Sequence, residues 1–235
     1  MHQQVVFKTA LDVGCGVGYF SRFLSDLGLD VQGIDGRNEN VQEAARRSPD
    51  IKFLVADAEN LPLPELNVCD FVLCVGLLYH LENPFRAIRS LHRLTSKALL
   101  IESMCASGSR PSMELVDESH DKNQALNYVA FYPTEACLIK MLYRSGFPYV
   151  YTFEELPSHP LFHASFWRRK ERTILVASKV QVSAPGLQLA PEVEGSWGSL
   201  STFRERLKMR LENLAGSVPN PWRRPSLRPQ DEKKH

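Results

Sequence analysis

The stretch Leu11-Asp12-Val13-Gly14-Cys15-Gly16-Val17-Gly18-Tyr19-Phe20 is an apolar strand that ends in a glycine-rich turn and leads into a helix. Glycines at alternate positions allow positive φ angles and leave no side chain between the backbone and a ligand. A dinucleotide site requires G-x-G-x-x-G, whereas Gly18 comes one residue earlier here. The acidic Asp12 before the turn would repel a pyrophosphate and attract a cation. The stretch therefore predicts a site for a nucleotide-type cofactor, although by itself it leaves open a variant nicotinamide site or a turn without a ligand.

Three more apolar segments follow the turn in the order expected for a sheet that binds a nucleoside. Residues 31–35 end in Asp35, about 20 residues past the turn, where a carboxylate accepts hydrogen bonds from a ribose diol. Residues 53–57 end in Asp57, and residues 70–76 form a fourth strand. Four correctly ordered signals in one stretch of chain favour a cofactor site over a bare turn.

These segments resemble the class I S-adenosylmethionine-dependent methyltransferases, whose cofactor carries a sulfonium and an ammonium group but no phosphate. The resemblance implies an α/β fold with a doubly wound, mostly parallel, seven-stranded Rossmann-like sheet, and S-adenosyl-L-methionine as the cofactor. It implies that Asp35 binds the ribose and Asp57 the adenine. The methionine end is expected at Asp12, Gly14, Gly16 and Gly18. Further residues expected to line the cofactor are Cys15, Gly36, Ala58, Cys74 and Gly76.

The composition is that of a globular enzyme, since 43% of the 235 residues are hydrophobic and 23% are charged. The sequence has no apolar run long enough to span a bilayer and no leader pattern, which predicts a cytoplasmic protein. Its five cysteines include no C-x-x-C pair, so they are expected to be reduced and mostly buried. No metal site is predicted, because no residues show the spacing of metal ligands.

Strands alternate with helical periodicity, which predicts helices near 19–28, 38–47, 84–95 and 134–145. A fifth strand is expected at 97–102, and strands at 149–153 and 173–178 are expected to close the sheet as a hairpin. Two insertions, 103–132 and 155–171, interrupt this pattern. Loops gather at the carboxyl ends of such strands, so we expect the insertions to form the acceptor pocket.

The segment Gly76-Leu77-Leu78-Tyr79-His80-Leu81-Glu82-Asn83-Pro84 resembles the G-x-L-Y-H segment of the tRNA wobble-uridine methyltransferases that transfer a carboxymethyl group. The match covers roughly residues 9–180 and includes 131–134, 145–147 and 172–177. In that group, residues at the positions of Tyr79 and Arg172 help hold the cofactor's carboxylate. A lysine in a long N-terminal extension does so too, and no such lysine can be assigned here. We therefore expect plain methyl transfer, with carboxymethyl transfer as the alternative.

Methyl transfer from a sulfonium is an in-line displacement, so the protein aligns the acceptor and removes its proton where needed. His80 is the candidate base, because a free histidine titrates near neutral pH, and the alternative is that it orders the loop after the fourth strand. Glu102 is a second candidate base, and it could instead serve as a helix cap. Tyr79 completes the predicted catalytic group. The residues predicted to contact the acceptor are Asn83, Tyr132, Trp167 and Arg172.

The composition changes near residue 181, which predicts a methyltransferase domain over 1–180 and a linker over 181–198. Apolar residues at helical spacing predict an amphipathic helix over 199–216, followed by a disordered basic tail over 217–235. From Ser199 onward, nine Lys or Arg stand against four Asp or Glu. Such a segment could bind RNA, an acidic partner or an anionic membrane surface, or it could pack on its own domain.

The sequence thus predicts an S-adenosylmethionine-dependent methyltransferase that acts on an oxygen or nitrogen atom of a small-molecule acceptor. The first alternative is a tRNA wobble-uridine methyl- or carboxymethyltransferase. The second is a non-catalytic scaffold that binds a protein partner through residues 199–215. The intact glycines and strand-end acids argue against the scaffold, because a scaffold has no need of a cation site.

Overall fold

The computed structural model describes residues 5–61, 64–118, 129–165 and 169–193. The predicted helix over 199–216 and the tail over 217–235 lie outside the described residues. The strands are β1 (Thr9–Val13), β2 (Asp30–Asp35), β3 (Lys52–Val55), β4 (Cys69–Val75), β5 (Thr95–Met104), β6 (Met113–Asp117), β7 (Val129–Pro133), β8 (Tyr149–Phe153), β9 (Arg172–Ser178) and β10 (Leu187–Leu189). The α-helices are α1 (Tyr19–Asp26), α2 (Asn38–Arg47), α3 (Pro84–Leu94) and α4 (Glu135–Arg144).

Eight strands form one mixed sheet in the order β10-β8-β9-β5-β4-β1-β2-β3. Strands β1 to β5 pair in parallel, and β9 runs antiparallel between β5 and β8. The expected α/β fold and the closing hairpin of β8 and β9 are confirmed. Because β9 runs in the opposite direction, its first residue, Arg172, lies at the edge where β4 and β5 end.

The described sheet has one strand more than the seven expected. Leu187–Leu189 pairs with β8 at the edge of the sheet, inside the segment interpreted as a linker. Ala190 is buried in the core that includes Leu142 and Phe147, and the Tyr143 hydroxyl donates a hydrogen bond to its carbonyl. The signal for this strand in the sequence is weak, because a three-residue edge strand is shorter than the pattern of alternation that reveals strands.

The two faces of the sheet carry separate apolar clusters, as the alternation along each strand requires. Val72 and Cys74 of β4 lie in the cluster that α3 and α4 cover, whereas Leu73 packs with Leu24 of α1 on the opposite face. The insertion over 103–132 contains the antiparallel hairpin of β6 and β7. Among the described residues, no helix is long and apolar enough to cross a membrane.

Candidate cofactor and acceptor site

The glycine turn after β1 uses its N–H groups within the protein. The N–H groups of Gly14 and Cys15 both donate to the carbonyl of Ile34, at 2.8 and 2.9 Å, and that of Gly18 donates to the carbonyl of Cys15. The N–H of Gly16 donates to Oδ2 of Asp35 at 2.9 Å. Four N–H groups of the turn therefore have partners inside the protein, which leaves fewer of them for a phosphate.

Asp12 occupies the position of an anion at the start of α1. Its carboxylate is 2% exposed and accepts hydrogen bonds from the Ser21 hydroxyl, at 2.6 Å, and from the Ser21 N–H. Burial raises the pKa of Asp12 to about 6, and the bonds from Ser21 oppose that rise. An acid here complements the positive end of the helix and takes the place that a pyrophosphate would need.

Two of the glycines that are predicted to line the cofactor face open space, which is the test of whether a cofactor fits. Gly16 (φ +53°) and Gly76 (φ +68°) have no heavy atom within 4 Å of an added Cβ. At Gly18 and Gly33, in contrast, an added Cβ would meet the ring of Phe53 at 3.1 and 2.5 Å. Gly18 and Gly33 therefore serve internal packing, whereas Gly16 and Gly76 keep a surface open at the carboxyl ends of β1 and β4. That surface, with its surrounding acids, fits a ligand that carries a positive charge.

Asp35 is the last residue of β2, and Asp57 lies in the segment that follows β3, as the sequence predicts. Asp35 accepts bonds from the N–H groups of Gly16 and Arg37 and from the side-chain amide of Asn40, all near 2.9 to 3.0 Å. A carboxylate has about four acceptor positions, so one stays available for a ribose hydroxyl. Asp57 is exposed and caps the 3-10 turn Ala58–Asn60 through the N–H of Glu59. Gly36 lies exposed in the bend after β2, and Ala58 is buried.

Cys74 requires a correction. It was expected to line the cofactor, but its side chain has no exposed surface and lies in the core between β1 and β5. Burial raises the pKa of its thiol far above the ordinary value. The resemblance placed it at the carboxyl end of β4, but it precedes that end by one residue, and the alternation of side chains turns it to the α3 face.

A second group of side chains lies next to this surface, at the ends of β4, β5, β7 and β9. The Tyr79 ring packs on His80, with centroids 4.0 Å apart, and meets Tyr132 edge-on at 5.8 Å. The Arg172 guanidinium lies 5.8 Å from the centroid of the Tyr79 ring, with Nη2 3.4 Å from the Tyr79 hydroxyl. Burial raises the pKa of the Tyr79 phenol. The structure thus brings four predicted residues together.

Glu102 is held as an ion-pair partner. Nη1 of Arg172 donates to its Oε1 at 2.6 Å, and the N–H of Gly76 donates to its Oε2 at 3.0 Å. Glu102 is 5% exposed. Glu102 is thus buried and paired with the Arg172 guanidinium, which it holds in position.

His80 is better arranged as a base. Its Nδ1 lies 2.8 Å from Oε2 of Glu118, and both side chains are largely buried. A carboxylate at this position accepts a hydrogen bond from the N–H of Nδ1, and the lone pair of the neutral ring is then on Nε2. Glu118 is not among the site residues that the sequence predicts, because it lies 38 positions from His80 and no local spacing links the two.

One predicted acceptor residue, Asn83, is not in this group. Asn83 is the N-cap of α3, where its side chain accepts from the N–H of Arg86 at 3.0 Å and its own N–H donates to Glu59. Its position before Pro84 is the pattern of a helix start, which explains its presence without a ligand. Trp167 lies outside the described residues.

Comparison with known proteins agrees with this geometry. Residues 11–98 match the family model described as a methyltransferase domain. The match covers β1 to β4, both loops that carry the strand-end acids, and α3.

The chain is similar to curated proteins of more than one kind. The chain is 30% identical over 149 residues to a tRNA U34 carboxymethyltransferase of Shewanella piezotolerans, covering 60% of this chain and 44% of that protein. It is 31% identical over 97 residues to a ubiquinone biosynthesis O-methyltransferase of Paraburkholderia phymatum, covering 40% and 42%. The chain spans less than half the length of these curated relatives.

The fold is also that of a solved S-adenosylmethionine-dependent methyltransferase from Mesorhizobium loti. The two share 22% identity and a TM-score of 0.56, over 75% of this chain and 93% of that one. This likeness confirms the expected fold class.

Proposed function

We propose that this chain transfers the methyl group of S-adenosylmethionine to an oxygen or nitrogen atom of an acceptor. The observation that carries the proposal is the use of the loop N–H groups inside the protein, together with the Asp12 carboxylate at the start of α1. A nicotinamide dinucleotide would need those groups for its phosphates, whereas a sulfonium with an ammonium group needs negative charge and open backbone. The family match and the fold support the same choice.

Different residues would bind different parts of the cofactor. Asp35 would accept from the ribose, Asp57 from the adenine, and the surface at Gly16 and Gly76 would take the methionine end. The cofactor supplies a methyl carbon already activated by its sulfonium. In the transfer, the sulfur of the cofactor would keep the electron pair of the broken carbon–sulfur bond, and Nε2 of His80 would take the proton that the acceptor atom loses.

A matched pair of glycine variants tests this proposal. Gly16 and Gly28 both have positive φ, at +53° and +88°, and neither has an atom within 4 Å of an added Cβ. Gly16→Ala and Gly28→Ala therefore carry similar backbone strain, on the order of 1–2 kcal/mol, but only Gly16 lies at the proposed site. Isothermal titration with S-adenosylmethionine should give micromolar binding for the parent and the Gly28 variant, and at least tenfold weaker binding for Gly16→Ala. Equal binding by all three proteins, or no binding by the parent, contradicts the proposal.

Carboxymethyl transfer to tRNA is the second candidate, favoured by the approach of Arg172 to Tyr79 and by the tRNA U34 carboxymethyltransferase relatives. Against it, Glu102 already neutralises Arg172, so a carboxylated cofactor would have to compete with a buried acid. Titration with carboxy-S-adenosylmethionine in parallel separates methyl transfer from carboxymethyl transfer. Clear preference for this compound would favour carboxymethyl transfer to tRNA. A scaffold role predicts no binding of either compound. A cytoplasmic location and a protein partner at residues 199–215 stay predictions.

A further inference from the structure

The hairpin of β6 and β7 brings two side chains to the turn that carries His80. Strand β7 packs against the 3-10 turn Leu78–His80, and its Tyr132 meets the Tyr79 ring edge-on at 5.8 Å. Glu118 follows directly after the last residue of β6, and its Oε2 lies 2.8 Å from Nδ1 of His80. The histidine and its carboxylate therefore come from separate elements, which meet only when the insertion folds onto the turn after β4.

The hairpin is attached to the domain without this pair. The N–H of Ala106 donates to the carbonyl of Pro133 at 3.1 Å, and five residue pairs join β6 to β7. The Glu118 side chain is only 4% exposed, and a buried carboxylate costs free energy unless it is paired. Burying Glu118 against His80 would be an unfavourable way to fix a hairpin that other bonds already hold. The pair therefore calls for a chemical explanation.

The second ring nitrogen of His80 is open. Nε2 has no hydrogen-bond partner in the part of the chain that the structure describes, and the side chain is 13% exposed. In a neutral imidazole, one nitrogen carries the proton and the other carries a lone pair, and a carboxylate at Nδ1 favours the proton at that nitrogen. The nitrogen that can reach a ligand is thus the one that carries the lone pair.

The two buried acids near Tyr79 face different cations. Glu102 is paired with the Arg172 guanidinium at 2.6 Å, whereas Glu118 lies at His80. Once Nε2 takes a proton, the His80 ring becomes a cation in largely buried surroundings, with the Arg172 guanidinium already 5.8 Å from the centroid of the neighbouring Tyr79 ring. An anion in contact with the ring stabilises that charge, and Glu118 supplies it.

We propose that Glu118 is the positioning residue of the base: it holds His80 with the proton on Nδ1 and the lone pair on Nε2, and it balances the charge that His80 acquires. The inference rests on the proposed function, since it concerns the base of that same reaction. Glu118 acts through His80. The insertion over 103–132 thus supplies a part of the proton-accepting group that the core of the fold does not contain.

Long-range ¹H–¹⁵N NMR of the full chain, labelled with ¹⁵N-histidine, tests this inference, because it shows which nitrogen of a neutral ring carries the proton. The chain has seven histidines, and the signals of His80 are those missing from His80→Gln. At pH 9, His80 of the parent should favour the Nδ1–H form at least tenfold. Glu118→Met removes the acceptor and should reduce this preference at least fivefold. The matched control Glu114→Met changes an exposed glutamate of the same hairpin and should leave the preference unchanged.

The measurement on the parent decides even if a variant does not fold. A proton on Nε2 of His80 overturns the inference. A ring that still carries both protons at pH 9 also overturns it, because such a ring could not act as a base. An unchanged preference in Glu118→Met, with the far-UV circular dichroism of the parent, does so too.

Isothermal titration of S-adenosylmethionine into the parent separates failure of the inference from failure of the proposed function. Cofactor binding together with a proton on Nε2 of His80 overturns the inference alone. Absence of cofactor binding overturns the proposed function and the inference with it.

Discussion

The buried Asp12 carboxylate makes the stability of the fold depend on pH in a direction opposite to that of most acids. Its pKa rises from 3.8 to about 6 because of burial. Below pH 3.8 the carboxyl is protonated in both the folded and the unfolded chain and contributes nothing. Between pH 3.8 and about 6, the unfolded chain loses the proton while the folded chain keeps it, so the free energy of unfolding falls as pH rises.

Above pH 6 this loss in the free energy of unfolding is complete. It amounts to about 3 kcal/mol, because the pKa of Asp12 rises by roughly two units and each unit corresponds to about 1.36 kcal/mol. Asp12→Asn keeps an acceptor for Ser21 but cannot ionise. Its free energy of unfolding minus that of the parent should therefore rise by up to about 3 kcal/mol between pH 4 and pH 7. Taking this difference cancels the other titrating groups.

Urea denaturation followed by far-UV circular dichroism at pH 4, 5, 6 and 7 measures this difference. Ser21→Ala removes the bond that opposes the rise in the Asp12 pKa, so this variant should lose more stability than the parent as the pH increases. A difference between Asp12→Asn and the parent that stays constant over this range would refute the reasoning, because it would mean that Asp12 is ionised at the same pH in both states.

Two further predictions concern buried groups. Arg172→Met should lower the free energy of unfolding by about 3–5 kcal/mol, because it leaves the Glu102 carboxylate buried without its cation, and adding Glu102→Gln should restore most of the loss. Urea denaturation of both variants checks this, and a double variant as unstable as Arg172→Met would contradict it. Burial raises the pKa of Cys105 to about 11 and those of Cys15 and Cys74 further, so iodoacetamide at pH 8 should modify these thiols at least 100-fold more slowly in the folded chain than in urea. Mass spectrometry measures the rates, and rapid labelling of Cys15 would show that the glycine turn opens.

The sequence sufficed for those parts of the site that depend on neighbours along the chain. A glycine turn between a strand and a helix, and acids such as Asp35 at the ends of strands, follow from local pattern and chain order. The structure places the turn and both acids at the same edge of the sheet, since parallel strands end together.

The sequence did not suffice where the chemistry depends on distant contacts. The pairs His80 with Glu118 and Glu102 with Arg172 join residues 38 and 70 positions apart, so no spacing reveals them. Glu102 as a base and Asn83 as an acceptor residue were plausible from their positions alone. In the fold, Glu102 pairs with Arg172 and Asn83 caps α3.

The ion pair of Glu102 and Arg172 can form only after both residues have been synthesised on the ribosome. Synthesis adds about 5–20 residues per second, so Arg172 follows Glu102 after roughly 4 to 14 seconds. The glycine turn, Asp12 and Asp35 belong to the first third of the chain and can come together before then. Until β9 inserts between β5 and β8, the end of β5 carries an acid without its cation. The part of the proposed site that contains Asp12 and Asp35 can therefore form during synthesis, whereas the part that contains Arg172 is completed last.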